Sequence, residues 1–117
     1  VIVLDLTCLR NTSRLLNLFK QFEGMVDRVK LVVNRAGSAE TEISLKKAEE
    51  TLKMPISWQV PLAVKPFQNA RIRGVPISEV ASGSRVHQAI LEIARALSPA
   101  LSSETKKPRK GLFAALF

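Results

Sequence analysis

Short apolar runs alternate with amphipathic stretches along the first half of the chain. Residues 1–4 form a β-branched apolar run, typical of a strand buried on both faces of a parallel sheet, and residues 29–33 and 56–60 are predicted to be the second and third strands. Between these runs, residues 11–22 and 43–52 carry apolar side chains at helical spacing. The alternation predicts an α/β fold, a three-layer parallel sheet with flanking helices and right-handed crossovers.

Polar residues indicate where the helices begin. The second half is less regular, with one helical turn expected over residues 67–72 and a longer helix from residue 85 that ends before Pro99. Side chains able to accept a hydrogen bond from a helix N-terminus precede each helical stretch. The predicted N-caps are Asn11 or Thr12, then Ser38 or Thr41, and finally Ser84.

The composition indicates one soluble globular unit. The chain has 117 residues, of which 46% are hydrophobic and 24% charged, as in ordinary globular domains. Cys8 is the single cysteine, which excludes an internal disulfide and a cysteine-based metal cluster. His87 is the single histidine and has no second metal ligand nearby in sequence, so a structural role is expected. The residues suggest neither a catalytic group nor a metal site.

A side-chain amide follows the second apolar run. Asn34 comes directly after residues 31–33, and the carboxyl ends of parallel strands are where open α/β sheets bind ligands. An amide offers an acceptor and two donors, which suits the edge of a purine base. A bond from Asn34 to its own loop is the alternative. Arg35 has two interpretations as well, since it either shields or stacks on a base or is simply solvated.

Four passages, taken in order, resemble the MinD/ParA-type P-loop ATPases, and within them the CpaE/TadZ branch of pilus assembly. They are the strand and helix start over residues 1–14, Leu-Val-Val-Asn-Arg at 31–35, Val-Pro at 60–61 followed by the 69–77 segment, and the helix over 84–97. Together they cover residues 1–98. The resemblance implies that this region is the C-terminal half of such an ATPase domain.

The resemblance also implies a nucleotide site. Its cofactor is ATP, and its base-binding residues here are Asn34, Arg35, Pro61 and Leu62. The family commonly has a polar pair after the proline, whereas Leu62 and Ala63 stand there in this chain. The phosphate-binding loop and the magnesium ligands are expected upstream of Val1, so the chain alone is not expected to hydrolyse ATP. Asp5 ends an apolar run as a magnesium-binding Asp does, but a helix rather than a switch loop is expected after it.

The role implied by the resemblance is a nucleotide-dependent localisation factor. The complete protein is expected to form a homodimer and to act with pilus or secretion-machine proteins at the cytoplasmic face of the inner membrane. Because Val1 lies inside an apolar run, we expect the chain to be part of something longer. Expressed alone, it is expected to associate, because part of its sheet and one helix face would be exposed.

The end of the chain has the composition of a membrane-surface anchor. The net charge is +8, and a basic linker over residues 99–110 precedes an apolar tail over 111–117. In a helical tail the apolar side chains would share one face, beside cations suited to anionic lipid. Docking of the tail on its own domain or on a partner protein is the alternative. The predicted membrane-binding residues are Lys106, Lys107, Arg109, Lys110, Leu112, Phe113, Leu116 and Phe117.

Two alternative functions stay open. In a ParA-like DNA-partitioning protein, nonspecific DNA binding would use the cations of the irregular stretch, Lys65, Arg71, Arg73 and Arg85. In a non-catalytic structural relative, the nucleotide site would be lost, as Leu62 and Ala63 suggest.

Overall fold

The computed structural model describes residues 1–39 and 41–98. The predicted linker over 99–110 and tail over 111–117 lie outside these residues. The main elements alternate between helix and strand until β2, after which only helices follow. In chain order they are α1 (Leu6–Phe19), β1 (Leu31–Ala36), α2 (Leu45–Leu52), β2 (Ile56–Pro61), α3 (Val64–Arg73), α4 (Ile77–Val80) and α5 (Arg85–Leu97), with a 3₁₀ turn at Val26–Arg28.

The strands are parallel, as predicted. β1 pairs with β2, and Ile2 forms a parallel bridge to Val33 on the other side of β1. Ile2 donates its N–H to the Val32 carbonyl (2.8 Å), and Asn34 donates its N–H to the Ile2 carbonyl (2.7 Å). The strand predicted over residues 1–4 is thus reduced to one bridge, because α1 begins as early as Leu6.

Helix α1 begins earlier than the sequence indicated. Asp5 is its N-cap, and the Asp5 carboxylate accepts a hydrogen bond from the Cys8 N–H (2.6 Å). The prediction of Asn11 or Thr12 as the cap is therefore wrong. The Thr12 hydroxyl instead donates to the Cys8 carbonyl inside the helix (2.8 Å). Asp5, at the end of the extended segment, is as suitable an N-cap as Asn11 or Thr12 in the polar run that follows. The pattern of apolar residues does not show which of these residues begins the helix.

The predicted caps of the later helices have different outcomes. Ser44, not Ser38 or Thr41, caps α2 through a bond from the Lys47 N–H (3.2 Å). The predicted Ser84 cap of α5 is confirmed, with the His87 N–H as donor (3.3 Å). The His87 ring also accepts a bond from the Gly83 N–H (3.0 Å), a structural role at this helix start.

The core lies where α1 and α2 meet the strands. Val33 in β1 is 0% exposed, and the half-buried Cys8 packs against the same cluster as a small apolar side chain. Burial of this kind is the main favourable contribution to folding. The core cluster consists of Ile2, Leu4, Leu9, Leu16, Leu31, Val33, Ala48 and Leu52.

Candidate functional site

A β-bulge shapes the end of β1. Val33 lies opposite Gln59 and Ala36 lies opposite Pro61, so Asn34 and Arg35 together face Val60 alone. Arg35 adopts a left-handed backbone conformation with φ of 57°, which is uncommon for residues other than Gly, Asn and Asp. Bulges with an extra residue bend a strand and redirect its side chains, and they are common beside functional sites.

The Asn34 side chain bonds to the bulge itself. Its Oδ1 atom accepts a hydrogen bond from the Arg35 N–H (2.9 Å), and the residue is exposed. The bond to its own loop, one of the two interpretations from sequence, is therefore present. It occupies one lone pair of the oxygen and none of the amide hydrogens. Within the described residues the Asn34 amide nitrogen has no hydrogen-bond partner, so its two donors remain available to a ligand.

The four predicted base-binding residues meet in one open cavity of about 400 Å³. Asn34 and Arg35 line one side of it, and residues 61–64 line another. Leu62 donates its N–H to the Ala36 carbonyl (3.1 Å), which holds this second segment beside the end of β1. The Leu62 N–H is thereby used within the fold, so Leu62 offers a ligand its apolar side chain.

Helix α3 supplies a third side of the cavity that the sequence analysis did not identify. Val64, Phe67, Gln68 and Arg71 line it, and their spacing of three and four residues places them on one face of the helix. This spacing was visible in the sequence. It did not predict a shared helix face, because only one helical turn was expected over 67–72, whereas α3 spans Val64–Arg73.

The lining combines an apolar surface with positive charge. Pro61, Leu62, Ala63, Val64 and Phe67 are apolar, and no carboxylate is among the lining residues that the structure describes. The polar contribution comes from two amides and two guanidinium groups, those of Asn34, Gln68, Arg35 and Arg71. A flat, partly apolar and anionic molecule matches this surface, and a nucleotide has all three properties.

Comparison with known proteins identifies the fold. No protein-family model and no curated protein sequence matches the chain. The solved structure of a ParA family ATPase from Chlorobium tepidum TLS is similar over 83% of this chain, with 27% identity and a TM-score of 0.71. The septum site-determining protein MinD from Pyrococcus horikoshii OT3, complexed with Mg-ADP, is similar over 92%, with 19% identity and a TM-score of 0.69. The chain has a MinD/ParA-type fold.

The similarity supports the superfamily and leaves its branch open. The chain spans 39% of the ParA family structure and 43% of the MinD structure. The predicted fold class and the resemblance to MinD/ParA-type ATPases are therefore confirmed. Assignment to the CpaE/TadZ branch and to the C-terminal half of the domain stays a prediction.

Asp5 lies close to the cavity of this MinD/ParA-type fold but is engaged in the structure. A smaller hollow of about 110 Å³ contains Asp5, Ser38 and Thr41 and shares Asn34 and Arg35 with the larger cavity. The Oδ1 atom of Asp5 accepts the capping bond of α1 from the Cys8 N–H. Over residues 1–39 and 41–98, no three His, Cys, Asp or Glu side chains lie together in a group able to hold a metal ion.

The four cations predicted to bind DNA lie on two helices of the MinD/ParA-type fold. Lys65, Arg71 and Arg73 lie on α3, Arg85 begins α5, and all four are exposed. Lys65 and Arg71 are six residues apart, roughly 240° around the helix axis, and Arg71 lines the cavity. The structure thus separates Arg71 from Lys65.

The predicted membrane-binding residues, Lys106 to Phe117, lie outside the described residues. Within the described part of the chain, no helix has both the length and the apolar character needed to cross a membrane.

Proposed function

We propose that this chain provides the base-binding part of a MinD/ParA-type ATPase that works as a nucleotide-dependent switch. The observation that carries the proposal is the cavity in which Asn34, Arg35, Pro61 and Leu62 lie together. Its apolar and cationic lining fits a nucleotide, and a MinD structure of the same fold is complexed with Mg-ADP. The cofactor proposed for this protein is ATP with Mg²⁺.

Each of the four residues has a distinct part in the proposed site. The Asn34 amide donates to an acceptor on the base edge, while its bond to the Arg35 N–H holds the side chain in place (2.9 Å). Arg35 covers the base or faces the anionic end of the nucleotide. Pro61 and Leu62 give an apolar floor, and Leu62 and Ala63 stand where the family commonly has a polar pair. Groups of the complete protein outside this chain would hold the triphosphate and Mg²⁺, which neutralises charge during phosphoryl transfer.

The cellular role proposed for the complete protein is that of a CpaE/TadZ-like localisation factor for pilus or secretion-machine assembly. Two subunits would dimerise with nucleotide and bring two basic-apolar tails to the cytoplasmic face of the inner membrane. Each tail has four Lys or Arg residues followed by four Leu or Phe residues. Linking two weak anchors in one dimer raises the effective concentration of the second at the membrane.

Nucleotide titration of the complete protein tests the site. We expect ATP to bind, and Asn34→Ala to weaken binding about fivefold to tenfold, because a ligand hydrogen bond is lost. Asn17→Ala is the matched control, since Asn17 is an exposed asparagine on α1 that does not line the cavity. Calorimetric titration gives the Kd, and thermal melting verifies that each variant is folded. Equal ATP affinity of the Asn34→Ala and wild-type proteins would contradict the assigned role of Asn34.

A ParA-like DNA-partitioning ATPase is the second candidate. The ParA family structure shares 27% identity with this chain, and the exposed Lys65, Arg73 and Arg85 remain available for phosphate contacts. A protein that binds no nucleotide at all would instead favour the third interpretation, a non-catalytic relative of this fold.

A further inference from the structure

We propose that Phe67 of α3 is the residue on which the purine base stacks, and that α3 forms the second wall of the base site, facing the Asn34 bulge. The inference rests on the proposed function and assigns a new binding residue to the same cavity. Phe67 was not among the residues that the sequence indicated.

The surroundings of Phe67 favour a ligand on its ring. Among the described residues that line the cavity, Phe67 is the only aromatic one, and it is 44% exposed although apolar residues lie beside it. A phenyl ring left this open in a concave apolar surface has a face available for stacking. Every base has a π-face, and aromatic side chains bind bases through it.

Three different kinds of side chain follow one another along the face of α3 that lines the cavity, beginning with Phe67. Arg71 follows one helical turn later on the same face, and Gln68 lies between them. The helix therefore presents an aromatic ring, an amide and a cation in sequence. With Arg35 on the other side and no carboxylate in the lining over residues 1–39 and 41–98, the potential in the cavity favours an anionic nucleotide over a neutral nucleoside.

The wall formed by α3 complements the bulge of β1. The Asn34 amide hydrogens can donate hydrogen bonds to the edge of a base, whereas the Phe67 ring can stack only on its face. One flat molecule held by both satisfies the polar and the apolar part of the lining together. Placed this way, the base lies between Phe67 and the strand end, with Leu62 beside it.

Substitution of Phe67 in the complete protein tests the proposal, with ATP and inorganic tripolyphosphate as probes. We expect Phe67→Ala to raise the Kd for ATP about tenfold, the effect of losing one base–aromatic contact. The Kd for tripolyphosphate should not change, because this probe has no base. Phe67→Trp should keep ATP affinity within about threefold of wild type, since it retains an aromatic face.

Two further variants separate stacking from packing. Ile72→Ala is the matched control, since Ile72 is on the same helix, is 79% exposed and does not line the cavity. Its ATP affinity should equal that of wild type. Phe67→Leu keeps an apolar side chain without an aromatic face, so it should lose affinity as Phe67→Ala does. It also replaces the Ala variant if that one does not fold.

The outcomes distinguish this inference from the proposed function. Wild-type ATP affinity in Phe67→Ala or Phe67→Leu would overturn the stacking role while leaving the nucleotide site intact. An equal loss for ATP and tripolyphosphate would overturn it as well, since it would show a general structural defect. If the wild-type protein binds tripolyphosphate but not ATP, or binds neither probe, the proposed nucleotide site fails and the role of Phe67 fails with it.

Discussion

Arg35 shows at the scale of one residue how the site departs from regular structure. Its φ of 57° lies in the left-handed region, where the Cβ atom of an L-residue crowds the neighbouring carbonyl. Residues held in this way are frequent at ligand sites, where the surrounding fold maintains the strain. Here the β1–β2 pairing on both sides of the bulge fixes the conformation.

Two substitutions of Arg35 measure this strain. Both Arg35→Ala and Arg35→Gly remove the guanidinium group, but only glycine adopts a positive φ without a steric penalty. We expect the Gly variant to have a free energy of unfolding about 1 kcal/mol higher than the Ala variant. Urea denaturation of both proteins measures the difference. An Ala variant as stable as the Gly variant would show that residue 35 does not need a left-handed conformation.

Helix α1 shows at the scale of an element how one face is selected for the core. Asp5 fixes its start, and Leu9 and Leu16, seven residues apart, are buried on one side. Leu15 and Leu18 are also apolar but exposed, so the number of leucines does not define the buried side. Contact with α2 and the strands makes that selection.

A pair of adjacent leucines tests the orientation of α1. Leu16 is 4% exposed and Leu15 is 48% exposed. We expect Leu16→Ala to lower the free energy of unfolding by about 3 kcal/mol, since it leaves a core cavity. Leu15→Ala should cost less than about 1 kcal/mol. Equal losses in chemical denaturation would mean that α1 is rotated relative to the structure.

The surface of the whole molecule combines apolar and basic regions. Leu15 and Leu18 on α1 and Phe22 and Met25 after it are exposed apolar residues, and contiguous exposed apolar surface promotes association. The chain carries a net charge of +8, and four of its cations lie within residues 106–110. The exposed apolar residues favour association of the chain expressed alone, and this association stays a prediction.

Vesicle flotation tests the tail within the complete protein. Four cations at about 1 kcal/mol each near anionic lipid, together with partial burial of the apolar side chains, predict weak binding that two copies in a dimer strengthen. We expect Phe113→Glu to abolish flotation with anionic vesicles at low salt. Ala114→Glu introduces the same charge outside the apolar face that a helical tail would have, and it should retain more binding.

Other results of the same assay would redirect the proposal. A wild-type protein that ignores anionic vesicles at low salt would exclude the membrane role. If that protein is instead retained on DNA in a salt-dependent manner, the ParA-like partitioning function gains support. Wild-type flotation of the Phe113→Glu protein would show that the apolar face is not the membrane contact.

Several features of the fold could be predicted from the sequence because they depend on short-range physics. The order of strands and helices follows from hydrophobic period, and the Ser84 cap of α5 follows from side-chain chemistry one turn away. The base-binding candidates Asn34, Arg35, Pro61 and Leu62 came from a resemblance in short motifs. The position of Asn34 at the carboxyl end of a strand added the chemical reason.

Tertiary structure alone decided how those parts combine. In the bulge, Asn34 and Arg35 lie opposite Val60 alone, and this pairing joins two strands that are separate along the chain. Phe67 joined the site because the backbone pairing of Leu62 with Ala36 brings α3 against the end of β1. The sequence by itself determined which side chains were available for a nucleotide site. Long-range pairing determined which of them meet, since a cavity is a property of segments that are far apart along the chain.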